Sequence, residues 1–299
     1  MKGITVTGTL LAACLLAAGC ATTEMIAADI MANGRNLRKK MAFLPTVNDP
    51  ACGDQHIQTA ARTQLKTFLS RRCDRLFILD PGSPYKAIEK IPRLASGHVD
   101  KLTLTKLGRT QGLCAVLEQR IGPIELVTEK HGIWGFRDTC PAARLSLRLR
   151  AYEVETASVL FDDTIRRTVV LSEDERDDAT KTGQYDNEII NRLLGKAIPE
   201  IGKKLCRRMY KESWKGYITD ASGNTFTLTA GKDVGLAEGD VLEVFAMGEP
   251  IRGHGGHIYL IPGPKMGEIK VTRVQWDRAE AIGIVGSDLE KSNCVKLKP

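Results

Sequence analysis

Apolar positions change their spacing several times along the chain, and each change marks an element. From Ile4 to Ala18 the run is uncharged and rich in Leu and Ala. It is shorter than the about 20 residues that a spanning helix needs, and behind Lys2 it suits the apolar core of a signal peptide. "KKMAFLPTVND" reads as an apolar strand stopped by Pro45 and by a turn at Asn48-Asp49-Pro50. From Asp54 the period becomes helical. Ile57, Ala61, Leu65, Phe68 and Leu69 take one face, and Gln58, Arg62, Lys66 and Arg71 the other. "RLFILDPGS" (75–83) is a second short strand, so the order strand, helix, strand predicts a βαβ unit. From about Pro84 to Gly112 the pattern breaks into helical pieces at Pro92 and Gly97.

Three longer strand candidates follow. "LCAVLEQRIGPIELV" (113–127) leads into a polar loop that contains Trp134. "ARLSLRLRAYEVE" (143–155) alternates Leu145, Leu147 and Leu149 with Arg144, Arg148 and Arg150, and "SVLFDDTIRRTVVL" (158–171) closes a hairpin through "ETAS". "SEDERDDATKTGQ" (172–184) reads as a charged loop. Ile189, Leu193, Leu194, Ile198, Ile201 and Leu205 then mark a helix with Pro199 as a candidate kink. Beyond Ser213 the helical period disappears, and short alternating strands punctuated by glycine predict a small all-β module. The division is therefore a signal peptide (1–19), a tether (20–37), an α/β domain (38–212) and a β domain (213–299).

The apolar run ends in "LAAGC" (16–20). This resembles the bacterial lipobox, which implies that Cys20 becomes the first mature residue and carries a diacylglycerol. By resemblance to lipoprotein sorting, Ala21 and Thr22, with no Asp after Cys20, imply an outer-membrane anchor on the periplasmic side. Of the eight cysteines, Cys14 falls in the signal segment and six remain besides Cys20. An even set in an oxidising compartment predicts disulfides. Neighbouring strand candidates suggest Cys114–Cys140, a bridge that fastens the last helix to the final strand of the barrel suggests Cys206–Cys294, and Cys52–Cys73 is left, which requires the helix between them to fold back. The net charge of +7 is thinly spread. Arg35, Arg38, Lys39 and Lys40 form one cluster, and Lys203, Lys204, Arg207 and Arg208 another. Neither is interleaved with aromatics, and no nucleic-acid motif accompanies them, so they read as solvated or membrane-proximal faces.

The α/β segment, about 38–212, resembles a known family through "KKMAFLPTVND", the helix after it and "RLFILD". The family is the anticodon-binding-like domain of the translocation protein TolB, the curli secretion lipoprotein CsgG and the activator lipoproteins of penicillin-binding proteins. "ARLSLRLRAYEVETASVLFDD" resembles that family's long hairpin. Glu153, Thr156 and Val159 fit, while Ala157-Ser158 stands where a glycine is expected. "SGNTFTLTAGKDVGLAEGDVLEVFAMGEPI" (222–251) resembles the C-terminal domain of flagellar assembly protein T, through Gly223, Ala230, Gly231, Gly235, Leu236, Gly239, Asp240 and Val244. "GEIKVTRVQWDRAEAIGIVG" (267–286) resembles its closing strands through Gly267, Ile269, Val271, Val274 and Ala281. The lipid anchor and the lack of a match to that protein's N-terminal domain depart from the flagellar pattern. The fold class expected is therefore α+β, an anticodon-binding-like α/β domain followed by a small SH3-like barrel. Gly223, Gly231, Gly235 and Gly239 read as turn positions that need positive φ, with Asp240 capping its turn.

No chemistry-bearing motif accompanies these elements: there is no GxSxG, HExxH or P-loop. "HGGH" (254–257) offers two ligands where zinc expects three or four, and reads as a loop that could face a partner. No enzyme activity, cofactor or metal is expected. The expected role is a scaffold or assembly factor for a flagellar or other envelope complex, bound to envelope proteins and, through Cys20, to the membrane, with no nucleic acid. Assembly as a homo-oligomer is compatible with this. The alternatives are an activator of a cell-wall synthase and a subunit of a CsgG-like secretion channel. The channel requires hairpin strands of about 10 residues that alternate apolar and polar.

Overall fold

Lys39–Phe43 forms β1, and its apolar core residue Met41 sits between two parallel neighbours, Ile78 of β2 (Leu76–Ile78) and Ala115 of β3 (Ala115–Ile121). Helix α1 (Gln55–Arg72) makes the crossover from β1 to β2, as its apolar period requires. The Asp54 carboxylate accepts from the His56 N–H and caps its first turn. In this computed structural model the described residues are 37–45, 54–79, 91–93, 99–133, 136–252 and 258–298. Residues 1–36, where the signal peptide and most of the tether 20–37 are expected, lie outside them with Cys20, as do Cys52, Trp134 and His254 to His257.

After a short helix α2 (Lys101–Thr110) and β3, the chain runs through β4 (Glu125–Ile133), β5 (Phe136–Glu153) and β6 (Val159–Val170). The sheet order is β2-β1-β3-β5, with β6 on the far side of β5 and β4 continuing the line of β3 along β5. Two sequence expectations fail here. The run 113–127 is not one strand, because Gly122-Pro123-Ile124 interrupts it. The polar stretch around Trp134 is largely strand rather than loop: Thr128 pairs with Pro141 and Glu129 with Cys140. It forms a two-stranded extension past the end of β6, exposed enough to keep polar side chains on both faces.

The expected loop 172–184 is also ordered, as helix α3 (Glu173–Thr182). Its apolar period is missing because only Ala179 is buried. Its ends supply the stability instead. Ser172 and Glu175 form a reciprocal capping box, and Gly183 closes the helix at φ 68°. Helix α4 (Asn187–Tyr210) then runs unbroken through Pro199.

Helices α1 and α4 cover one face of the sheet. Leu65 and Leu69 of α1 and Leu194, Ile201 and Leu205 of α4 meet Met41, Leu117, Leu147 and Ile165 in one buried cluster. A disulfide joins Cys73, the C-cap of α1, to Cys206 of α4, with Cα atoms 5.9 Å apart. This overturns the expected pairings Cys52–Cys73 and Cys206–Cys294. Both partners sit where the two helices converge, which neighbouring position in the sequence does not reveal. Cys114, Cys140 and Cys294 are free thiols, so the expected Cys114–Cys140 bridge fails too. Cys140 pairs opposite Glu129 near the outer end of β5, whereas the residue after Cys114 pairs with Glu153 at the other end.

From Gly216 the chain forms short antiparallel strands: β7 (Gly216–Ser222), β8 (Thr225–Leu228), β9 (Val241–Ala246), β10 (Glu249–Arg252), β11 (Ile258–Ile261), β12 (Lys265–Val274), β13 (Ala279–Gly286) and β14 (Ser292–Leu297). Six of them close into a barrel in the order β12-β13-β8-β7-β14-β9, and the hairpin of β10 and β11 stands outside it. Phe226, Leu228, Leu242, Val244, Ile269 and Val295 fill the barrel interior. The molecule is thus an α+β domain followed by an all-β barrel.

Candidate functional site

Two charged regions follow from this layout. The first lies on the sheet face opposite α1 and α4, where β3, β5 and β6 present alternate side chains to the same side. Glu118 is 4 % exposed and central to it. Its carboxylate pairs with Arg93 at 2.8 Å, Arg120 at 2.9 Å and Arg150 at 3.5 Å, and accepts from the Tyr152 hydroxyl at 2.9 Å. Burial opposes ionisation of Glu118, yet the hydrogen bonds from Arg93, Arg120 and Tyr152 outweigh it and hold the carboxyl below the usual range. Asp162 accepts from Arg148 and Arg150 at 2.7–3.0 Å. A carboxyl held ionised by guanidiniums has no proton to donate near neutrality, and its oxygens are already engaged by cations and the Tyr152 hydroxyl, so this network ties β3, β5 and β6 together on the sheet face. The next residue, Asp163, points to the other face of β6 and pairs with Lys204 of α4 at 2.9 Å.

The second region is the junction of the two domains. Lys40 of β1 and Asp233 of the barrel pair at 2.5 Å, and each side chain is 2 % exposed. Lys40 also donates to the Thr229 carbonyl at 3.0 Å, and the Arg38 N–H to the Val234 carbonyl at 2.8 Å. Lys215, at the entry to β7, pairs with Glu155 at 2.6 Å and with Glu153. Two free thiols lie beside this network. Burial pushes the Cys114 thiol up, and burial with the Glu155 charge does the same to Cys294. Neither is a nucleophile near neutral pH.

The glycines chosen from sequence divide into two kinds. Gly223, Gly235 and Gly239 have φ of 57°, 91° and 91°. Gly231 is extended instead, at φ −148°, and its requirement is space: an added Cβ would lie 2.5 Å from the Gln275 carbonyl oxygen. Asp240 accepts from the Ala237 N–H at 2.8 Å and closes its turn. Ala157, standing where the resemblance expects glycine, adopts φ 57°. Among the described residues no group of three or more His, Cys, Asp or Glu converges on a metal position, and no helix is long and apolar enough to cross a membrane. The Glu118 network escaped the sequence reading because its members come from three strands and a loop. Only the arginine alternation in 144–150 pointed to it.

No protein-family model matches the chain, and no curated protein matches it. Among solved structures, the hypothetical protein CT253 from Chlamydia trachomatis is similar at 13 % identity and a TM-score of 0.32, over 57 % of this chain and 99 % of that one. Lipoprotein GNA1162 from Neisseria meningitidis is similar at 11 % identity and a TM-score of 0.32, over 55 % and 99 %. TolB from Acinetobacter baumannii is similar at 11 % identity and a TM-score of 0.27, over 81 % of this chain and 57 % of that one.

Proposed function

We propose that the protein is a non-enzymatic, lipid-anchored lipoprotein on the periplasmic side of the outer membrane, acting as a scaffold or assembly factor through protein partners. Its α/β part is read as the anticodon-binding-like domain and its barrel as SH3-like, as the resemblances imply. The observation that carries the envelope reading is the Cys73–Cys206 disulfide in a chain that opens with a signal-like run ending in "LAAGC". Disulfides persist in oxidising compartments, and two or more acyl chains give stable anchoring. The charged networks support binding over catalysis, since their carboxylates are paired with cations. A flagellar complex is one candidate partner, and a cell-wall synthase is another.

The test is metabolic labelling with a radioactive fatty acid, comparing wild type with Cys20→Ala. Label on the wild type that disappears from the variant is the expected result. Equal label on both would sink the anchor.

A channel subunit like the curli lipoprotein is favoured by one feature, the extension of β4 and β5 beyond β6. Against it, Glu125 and Glu129 alternate with Leu126, Thr128 and Lys130 along β4, so neither side offers a continuous lipid-facing surface. Absence of conductance in planar bilayers at high protein concentration is the expected result.

A further inference from the structure

The basic cluster 203–208 is split by the helix it lies on. Lys204 and Arg208 turn toward β6, where Lys204 meets Asp163 at 2.9 Å and Arg208 donates to the Leu160 carbonyl at 2.8 Å. Lys203 and Arg207 turn the other way, toward α1. Together with Arg72 they rim a groove of about 550 Å³ between the C-terminal halves of α1 and α4, floored by Phe68, Pro199 and Cys206. The floor forms because Gly202 carries no side chain: a Cβ there would lie 2.5 Å from the Phe68 ring. The Cys73–Cys206 disulfide closes one end and fixes the spacing of the helices.

Charge is concentrated on this side of the molecule. Helix α1 has four Lys or Arg and no Asp or Glu, and α4 has six against two Glu. The two helices thus hold an excess of eight positive charges (ten less two), where the whole chain has +7. Three of the six cations of α4 are matched by carboxylates, Arg192 by Glu175, Lys204 by Asp163 and Arg208 by Glu212, and Lys196 donates to the Thr168 carbonyl at 3.1 Å. The side chains of Arg72, Lys203 and Arg207 are exposed, and no carboxylate among the described residues pairs with them. On the opposite sheet face the guanidiniums are already matched to Glu118 and Asp162. The groove thus sets three cations that no carboxylate among the described residues pairs with around an apolar floor, and on its wall the Tyr210 hydroxyl donates to Asp74 at 2.8 Å.

We infer that the α1–α4 groove docks an acidic segment of a partner protein, with an apolar side chain on the Phe68 floor and carboxylates on Arg72, Lys203 and Arg207. This rests on the reading of the protein as a binding module and names its partner's chemistry. The recessed floor favours a peptide over a bilayer, because flat headgroups would reach the rim cations and leave Phe68 uncovered. Arginine suits the task, since its guanidinium presents paired donors to a carboxylate.

The test uses the full-length protein in a zwitterionic detergent and a fluorescein-labelled peptide of four Glu-Glu-Leu repeats, followed by anisotropy. A peptide of Gln-Gln-Leu repeats is the neutral control. Binding of the acidic peptide should exceed that of the control about tenfold, and should weaken as salt rises toward about 0.3 M. Lys203→Glu combined with Arg207→Glu should lose about tenfold in affinity, whereas Arg278→Glu on the barrel should lose none. Unchanged far-ultraviolet circular dichroism and an intact Cys73–Cys206 peptide would show that the double variant is folded. Equal binding of the two peptides, or wild-type affinity in the folded double variant, overturns the inference. So does co-sedimentation with phosphatidylglycerol vesicles that depends on Lys203 and Arg207 while the peptide shows no such dependence. A failure of Cys20 labelling would leave each of these outcomes unchanged.

Discussion

Replacing Lys40 by Met removes one half of the ion pair that joins β1 to the barrel, and the structure sets the size of the effect. The ammonium and the Asp233 carboxylate are 2.5 Å apart and each is 2 % exposed, so water does not replace the lost partner. The Asp233 side chain keeps the Gly231 N–H at 3.1 Å, and the Thr229 carbonyl loses the Lys40 donor at 3.0 Å. Stranding one buried charge in this way costs about 3–5 kcal/mol. Met fills much the same volume as the lysine stem, so the loss is electrostatic rather than a cavity. Asp233→Asn should also destabilise, because it strands the ammonium. The double variant should lose less than the sum of the singles, with a coupling of about 2 kcal/mol, since neither charge then remains. Urea unfolding at pH 7, followed by tryptophan fluorescence, measures this; Trp214 is buried against the barrel core and reports on the junction. A Lys40→Met unfolding free energy within about 1 kcal/mol of wild type, at unchanged slope, would refute the idea that this pair locks the domains.

Two further outcomes are expected. Peptide mapping without reduction should recover a Cys73–Cys206 peptide, and opening that bridge, which spans 133 residues, should cost about 2–5 kcal/mol; a Cys206–Cys294 peptide would contradict the helix packing described above. In acid, Glu118 and Glu153 should set much of the stability loss. Their folded carboxyls are held below the usual range despite burial, by Arg93 and Arg120 for Glu118 and by Lys215 for Glu153. Their stabilisation is therefore full above an unfolded pKa of about 4.3 and disappears as pH falls through the lower folded value. Glu118→Gln should flatten the acid limb of a thermal-stability profile, and an unchanged limb would count against its role.

The local elements were legible wherever one face is buried and the other wet. Ile57 to Leu69 marked α1, the leucines of 145–149 marked β5, and the glycine-spaced strands after Ser213 marked the barrel, because burial of one side imposes the period. Where burial is slight the period vanishes. Helix α3 buries Ala179 alone, so its capping box was the only sign of it, and the β4–β5 extension kept polar residues on both faces and read as a loop. At Ala157 the turn geometry was set by the hairpin, not by residue type: it takes φ 57° without glycine.

The sequence by itself determined the elements with one buried face, such as α1, β5 and α4, the change from an α/β part to glycine-spaced strands, and the supply of cysteines and charges; α3 and the β4–β5 extension, with little buried, it left as loops. Tertiary structure decided which of these meet. Cys73 found Cys206 because α1 and α4 lie side by side on one sheet face. Lys40 found Asp233, far along the chain, because the N-terminal end of β1 lies against the barrel's 3-10 turn Lys232–Val234. The run 203–208 was divided into matched and unmatched cations because a helix turns its neighbours to different sides. Spacing along a chain encodes a period, and hence a face; which face it meets depends on long-range packing that no local window contains.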